Sequence, residues 1–351
     1  MVKLDAVYAA NAALVNTNPF VAVIAGGTAG IGECAVRGLA TTFAAHGSQL
    51  RIYIVGRNQE AADNIISSCG RICPGGTFQF VGGDLALIKE VDRICDVITV
   101  AEQEHAIKSN GRPAKVDFLL CSQGILSTNL EDTEEGIYKI CSLTYFSRMR
   151  FAVQLLPLLS NAPNGGNVVS VLNGRIKPSI QLEDLGLRKP SSQAIGIMFG
   201  HQMGMTNVFI SELARRNPGK IALSHVYPGY VITDAADHSE FPWWLKFILK
   251  WIVGTLALPI TVPHPEVGQR MVYLATDRFS PASMNIADGA AAAEGIDGNK
   301  GSGAYRVDST GETYPQETEY ARLRENGGAD KIYEYTMKVF EEIQTNGVYK
   351  E

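Results

Sequence analysis

Short runs of β-forming apolar residues alternate with helix-length segments along most of this chain, and that alternation leaves few folds open. The runs are Phe20–Ala25, Leu50–Val55, Thr77–Val81, Val116–Cys121, Asn167–Val171 and Ile221–Val226, with a seventh at Ala304–Val307. Segments long enough for helices lie between them, at 30–46, 58–69, 86–109, 131–160 and 193–216. Strands joined by helical crossovers run parallel, and a parallel sheet carries helices on both faces, so its strands read as continuous apolar stretches. The expectation is an α/β fold, a doubly wound parallel sheet of about seven strands.

No linker or internal repeat interrupts the pattern, which predicts one domain over residues 1–351 with its core at 18–310. Two segments stand outside the minimal layout: a polar insertion at 174–192 and a lid-like segment at 229–263. Residues 309–351 form a C-terminal extension, read as a polar loop over 309–326 followed by a helix at Asp330–Ile343. With 46% hydrophobic residues the chain has ample material for a core, which excludes intrinsic disorder as its main state.

Lys plus Arg number 31 and Asp plus Glu 36, a net charge of -5, which argues against a nucleic-acid partner. Six cysteines spread thinly over 351 residues suit free thiols in a reducing compartment. Cys69 and Cys73 can share a helix face, but no second pair or ligand-spaced His accompanies them, so no metal site is expected. Asp5 and Asn11 break the N-terminal apolar stretch, which does not read as a signal peptide; the expected location is cytoplasmic.

The first strand runs into Gly26-Gly27-Thr28-Ala29-Gly30-Ile31-Gly32. Glycines there let the backbone turn tightly and approach a pyrophosphate at the N-terminus of the following helix. Position in the first β-α unit makes this a Rossmann-type dinucleotide loop. The second strand ends Val55-Gly56-Arg57-Asn58, with no acid between Arg51 and Arg57 to hold ribose hydroxyls. An arginine suits a 2′-phosphate, so NADP(H) is expected over NAD.

On these residues the chain resembles the short-chain dehydrogenase/reductase family over roughly 18–310. The landmarks are Gly26-x-x-x-Gly30-x-Gly32, then Asp84-Leu85 after the third strand. Cys121-Ser122-Gln123-Gly124 follows, where the family usually has Asn-Asn-Ala-Gly. Last comes Pro228-Gly229-Tyr230-Val231-Ile232-Thr233, which is similar to the segment that meets the nicotinamide carboxamide. The resemblance implies cofactor contacts at Gly26, Thr28, Ala29, Gly30, Ile31, Gly32, Arg57, Asn58, Asp84, Leu85, Ser122, Gly124, Pro228, Gly229, Val231 and Thr233. The wording of Val168–Gly174 and the long tail resembles a divergent group common in fungal specialised-metabolite pathways.

The family's catalytic residues do not match. The position of its Asn falls on Thr144, that of its Ser on Asn173, and those of its Tyr and Lys on Ile195 and Phe199. No Tyr occurs between Tyr145 and Tyr227, and no Lys between Lys189 and Lys220. Isoleucine cannot exchange a proton and phenylalanine cannot lower a neighbour's pKa by charge. Asn173 is the expected substrate contact, its amide donating to a developing oxyanion. Tyr230 is the expected replacement acid. Arg175, Tyr145, Gln202 and His225 rank below them, and His201 faces away from the site on a helix of 100° per residue.

The segment Phe241–Val253 holds all three tryptophans, Trp243, Trp244 and Trp251, with Lys246 and Lys250 one helical turn apart. It reads as a lid over a lipophilic small-molecule substrate, with peripheral membrane contact through 241–260 as an alternative and a spanning helix disfavoured by its lysines and prolines. Three functions follow. The first is a non-canonical NADP(H)-dependent oxidoreductase acting on a lipophilic carbonyl, enone or imine. The second is a redox-neutral cyclase, isomerase or dehydratase on the same scaffold, and the third a non-catalytic NADP(H)-binding protein. By analogy with the family, a homodimer through the helices near 131–160 and 193–216 is expected.

Overall fold

The computed structural model describes residues 1–16, 19–109, 111–127, 129–176, 178–233, 239–247, 261–282 and 292–351. The apolar runs form β1 (Phe20–Ala25), β2 (Leu50–Gly56), β3 (Thr77–Gly82), β4 (Phe118–Cys121), β5 (Gly166–Val171), β6 (Ile221–Val226) and β7 (Ala304–Val307). They make a seven-stranded sheet in the order β3-β2-β1-β4-β5-β6-β7, and each neighbouring pair is parallel. This is the Rossmann-type α/β arrangement. Every residue of β1, β5 and β6 is buried, which is why the sequence shows them as unbroken apolar runs. The strand order reverses between β1 and β4, the switch point at whose C-terminal side open α/β sheets ordinarily bind ligands.

The helices are α1 (Leu4–Ala12), α2 (Gly30–Thr42), α3 (Gln59–Ile72), α4 (Ile88–Lys108), α5 (Lys139–Cys141), α6 (Ser147–Gln154), α7 (Leu156–Leu159), α8 (Ile195–Arg216), α9 (Trp243–Phe247), α10 (His264–Tyr273), α11 (Glu317–Glu325) and α12 (Gly328–Asn346). A π turn, Ser142–Phe146, links α5 to α6. The helix expected from residue 131 starts only at 139, because Asp132 and Tyr138 bridge across a turn first. The one expected over 30–46 ends at Thr42 and tightens into a 3-10 segment, Ala44–Gln49.

The sequence reading missed α10, which packs on the dinucleotide helix α2. A Cβ on Gly38 would lie 2.7 Å from the Gly268 carbonyl, and one on Gly268 would lie 2.3 Å from Cys34 O, so the two backbones touch only because both residues are glycine. Asn11 of α1 ties the pair down, its Nδ2 donating to Gln269 O and Oε1 at 2.9 and 2.8 Å.

The polar loop expected over 309–326 is corrected: α11 occupies Glu317–Glu325. Its first turn is acidic and its last basic, as the helix dipole favours, and only Tyr320 and Leu323 are buried, too few for a periodic signal. The longer α12 lies over the π turn and α8. Phe209 and Tyr333 stack at 5.2 Å, Phe146 and Phe340 meet edge-on at 6.4 Å, and Tyr145 Oη bonds Thr336 Oγ1 at 2.6 Å. The extension thus covers, with this chain's own residues, the helices from which the sequence analogy expects a homodimer. All six cysteines are free and buried.

Candidate functional site

The Gly-rich loop closes onto three other segments at the C-terminal edge of the sheet. Gly26 sits at φ +80°, where a side chain would be strained, and the N–H groups of Gly26 and Gly27 both donate to Val55 O, at 2.9 and 3.0 Å. A Cβ on Gly32 would fall 2.2 Å from Gly26 O and 2.6 Å from Ser122 Oγ, so only glycine lets α2 begin this close to the loop. Ser122 Oγ donates to Ala25 O at 3.1 Å and pins the β4 end to the β1 end. Thr28 lies against Gly56, whose Cβ would be 2.8 Å from Thr28 Oγ1, and Gly83 N donates to Gly56 O at 3.0 Å. Thr233 reaches the start of α2, with Cγ2 3.3 Å from a Cβ position on Gly30.

The loop 26–32, the turn after β2, Asp84-Leu85, Ser122–Gly124 and Pro228–Thr233 therefore form one continuous cradle. Its donors sit at the positive end of α2, which fits the pyrophosphate of a dinucleotide. Arg57 is exposed beside the cradle, whereas Asn58 is the N-cap of α3, its Oδ1 accepting from Ala61 N at 3.0 Å. Asp84 Oδ1 accepts from Ala86 N at 3.0 Å, and Leu85 is buried.

A polar row crosses the sheet just below this edge. Ser170, His225 and Arg306 are register neighbours on β5, β6 and β7. Arg148, from α6, lies over Ser170. The residue is 1% exposed, and its guanidinium donates to Leu143 O (3.0 Å), Ser170 Oγ (3.0 Å), Val171 O (2.7 Å) and Gln123 O. Burial pulls its pKa down to about 10, so it remains charged at neutral pH. His225 Nδ1 lies 2.7 Å from Asn207 Oδ1 and its Nε2 has no partner among the described residues. Burial first, then the Arg148 and Arg306 charges, push this imidazole down to about 3, so it is neutral. Arg306 donates to Gly174 O at 2.6 Å and stacks on the Tyr314 ring at 4.5 Å.

Sequence reasoning missed Arg148, Arg306 and Tyr314 altogether. The Tyr314 hydroxyl lies 3.2 Å from a Cβ position on Gly174 and is buried without a hydrogen-bond partner among the described residues. A guanidinium from β7 and a phenol from the loop that follows it thus approach the Asn173-Gly174 turn. Burial pushes that phenol up to about 12.

Asn173 follows β5 as expected and is partly exposed; its Oδ1 accepts from Arg175 N at 3.3 Å, which leaves the amide N–H groups to donate. Tyr230 is half-buried, and its carbonyl accepts from Val262 N at 2.9 Å. Arg175 is exposed, with its guanidinium 5.8 Å from the Tyr227 ring. Thr144 sits in the π turn and donates to Ile140 O at 2.6 Å, against the amide of Gln202. That amide in turn donates to Cys141 Sγ at 3.2 Å, so Gln202 is engaged below the surface rather than open to a substrate.

Tyr145 is buried under α12 and contributes nothing to the cleft. His201 is also buried, on a face away from the cleft as expected. Its Nδ1 accepts from Gln181 N at 2.9 Å, and burial pulls it down to about 4. Ile195 opens α8 half exposed, and Phe199 is partly buried. A cavity of about 20 Å³ between the π turn, α8 and the C-terminal residues Tyr335 and Tyr349 has room for a water, not a substrate.

Leu126, Ile195, Ile232, Trp243, Trp244 and Phe247 are all exposed, Trp243 by 81%, and all lie on connections above the C-terminal ends of β4, β5 and β6. The rest of the lid, 234–238 and 248–260 with Lys250 and Trp251, lies outside the described residues. Among the described residues no helix is long and apolar enough to cross a membrane, and no group of three His, Cys, Asp or Glu could hold a metal ion.

Residues 20–176 match the short chain dehydrogenase family. Over 98% of both chains, the protein is 32% identical to the short-chain dehydrogenase/reductase SAT2 of Stachybotrys chartarum. The chain belongs to the short-chain dehydrogenase/reductase family. It is also 31% identical to oxidoreductase AN1596 of Emericella nidulans, over 97% of this chain and 99% of that protein. Among solved structures, L-sorbose reductase of Gluconobacter frateurii, complexed with NADPH and L-sorbose, superposes with a TM-score of 0.51 at 19% identity, covering 84% of this chain and 97% of that one. This last likeness supports the fold.

Proposed function

We propose that the protein is an NADP(H)-dependent reductase acting on a lipophilic carbonyl, enone or imine of specialised metabolism. The observation that carries this reading is the glycine cradle closed by Ser122 and Thr233, with exposed Arg57 at its adenosine end and an apolar rim at its other end. NADPH bound there supplies a hydride. Backbone N–H groups at the start of α2 hold the pyrophosphate, and Arg57 pairs with the 2′-phosphate, a task suited to a guanidinium fork. Leu126, Ile195, Ile232 and the tryptophans of α9 bind the apolar body of the substrate and exclude water.

Asn173 donates from Nδ2 to the acceptor oxygen or nitrogen as charge develops there. Tyr230, on the loop that carries Thr233, supplies the proton, directly or through water. Support from the relatives is of the same kind: SAT2 and AN1596 bear reductase and oxidoreductase names, and the sorbose reductase was solved with NADPH. The buried, reduced thiols favour a cytoplasmic setting.

The test is turnover of NADPH with a panel of lipophilic carbonyls, enones and imines, scoring nucleotide oxidised against product reduced. A one-to-one ratio is expected. Product formed with no net oxidation of NADPH would select a redox-neutral cyclase, isomerase or dehydratase. Tight binding without turnover across the panel would leave a non-catalytic nucleotide-binding protein.

A further inference from the structure

Arg148 is a buried cation without a counter-ion among the described residues. Two residues on, Arg150 pairs with Asp92 at 2.5 and 2.8 Å, as buried arginines ordinarily do. Arg148 instead meets three carbonyls and a hydroxyl, and no carboxylate among the described residues reaches it. Burying an ion in that way costs several kcal/mol that neutral hydrogen bonds only partly offset. No ionised acid among the described residues offsets its charge. Cys121 is a neutral thiol pushed up to about 12 by burial, His225 is neutral, and Arg306 adds a second positive charge.

The place of the charge is specific. Its Nη2 bonds Gln123 O and lies 3.7 Å from a Cβ position on Gly124, directly beneath the exposed end of the Ser122–Gly124 segment. Its Nη1 holds Val171 O, at the end of the strand that leads to Asn173. Both contacts are with segments on the β4–β5 side of the switch point, opposite Arg57, the half of the cleft that the proposed reading gives to the nicotinamide.

We propose that Arg148 sets the redox preference of the cleft, its fixed charge disfavouring an oxidised, cationic nicotinamide above residues 122–124 and so favouring the reduced, neutral one. This rests on the reading of the cleft as a nicotinamide dinucleotide site. The protein accordingly holds NADPH more tightly than NADP⁺ and expels the oxidised nucleotide after turnover. No acid–base role falls to Arg148, which acts through space on the ring above it and is a positioning residue.

The experiment is a fluorescence titration of the full chain with NADPH and with NADP⁺, for wild type, Arg148→Met and Arg148→Lys, with folding checked by circular dichroism. Wild type should prefer NADPH by about tenfold or more, the scale of one unit charge acting through protein, and Arg148→Met should lose about that factor, chiefly by binding NADP⁺ more tightly. Arg148→Lys should keep the preference. A purely structural tie would weaken both nucleotides together and leave their ratio unchanged, and that result in a folded Arg148→Met protein overturns the inference. Equal affinities in wild type overturn it too, even where the methionine variant does not fold. Binding of neither nucleotide by wild type instead removes the reading of the cleft itself.

Discussion

His225 offers a stability prediction whose sign and size follow from its surroundings. Asn207 Oδ1, 2.7 Å away, can only accept, so the imidazole proton sits on Nδ1 and Nε2 is a bare lone pair. Ser170 and Arg306 flank the ring on the neighbouring strands, Arg148 comes down from α6 and Asn207 from α8, and none of them is an acid. Burial and then the two guanidiniums hold the group down at about 3, against about 6.5 in an unfolded chain.

Between those values the unfolded chain takes up a proton that the folded one refuses. The stabilisation is therefore complete above about pH 6.5 and is lost progressively as the pH falls toward 3, amounting to about 2 kcal/mol by pH 5. His201, held at about 4 by burial, loses a similar amount over the upper part of the same window, about 2 kcal/mol by pH 5. Urea denaturation of wild type and His225→Asn at about pH 7.5 and pH 5 reads the effect. The variant should be the less stable at the higher pH, and the gap should shrink by about 2 kcal/mol at the lower one. Identical pH dependence in the two proteins would refute the claim that His225 is held neutral.

Gly32→Ala places a methyl 2.2 Å from Gly26 O, a backbone atom that cannot rotate away, so the loop must open. NADPH affinity should fall by about tenfold or more, with a stability loss of about 1–3 kcal/mol, measured by titration and thermal melting. Gly196→Ala is the matched control: nothing lies within 4 Å of its Cβ, and it should raise stability by about 0.4–1 kcal/mol and leave nucleotide binding intact. Arg57→Ala should weaken NADPH by about ten- to a hundredfold while leaving NADH binding unchanged in parallel titrations, the signature of a lost 2′-phosphate contact.

The strands were legible because a parallel sheet buried on both faces must be written in Val, Ile, Leu and Phe, and β1, β5 and β6 are buried throughout. The cradle was legible for a different reason: Gly26 and Gly32 are demanded by contacts with their immediate sequence neighbourhood and with Ser122. By contrast, α10 follows directly on a long apolar stretch that masks its own stripe of Val267, Met271 and Val272, although Pro265 in its first turn was an available start signal.

Arg148 could not be read at all. A charged residue between Phe146 and Met149 reads as a solvated helix position, whereas residues 147–152 of α6 are all buried, which leaves no mark in the composition. Arg306 and Tyr314 escaped notice because their site is assembled from the Gly174 turn and the last strand, more than a hundred residues apart in sequence. The C-terminal residues in turn hid Tyr145, whose hydroxyl bonds Thr336 rather than facing the cleft.

Calorimetric titration of the full chain with NADPH and NADH, run beside Gly32→Ala, tests most directly that the C-terminal edge of the sheet is a working dinucleotide site. Saturable binding of one NADPH per chain, tighter than NADH and lost or strongly weakened in the alanine variant, is the expected result. No binding by the wild type, or undiminished binding by Gly32→Ala, would contradict the account.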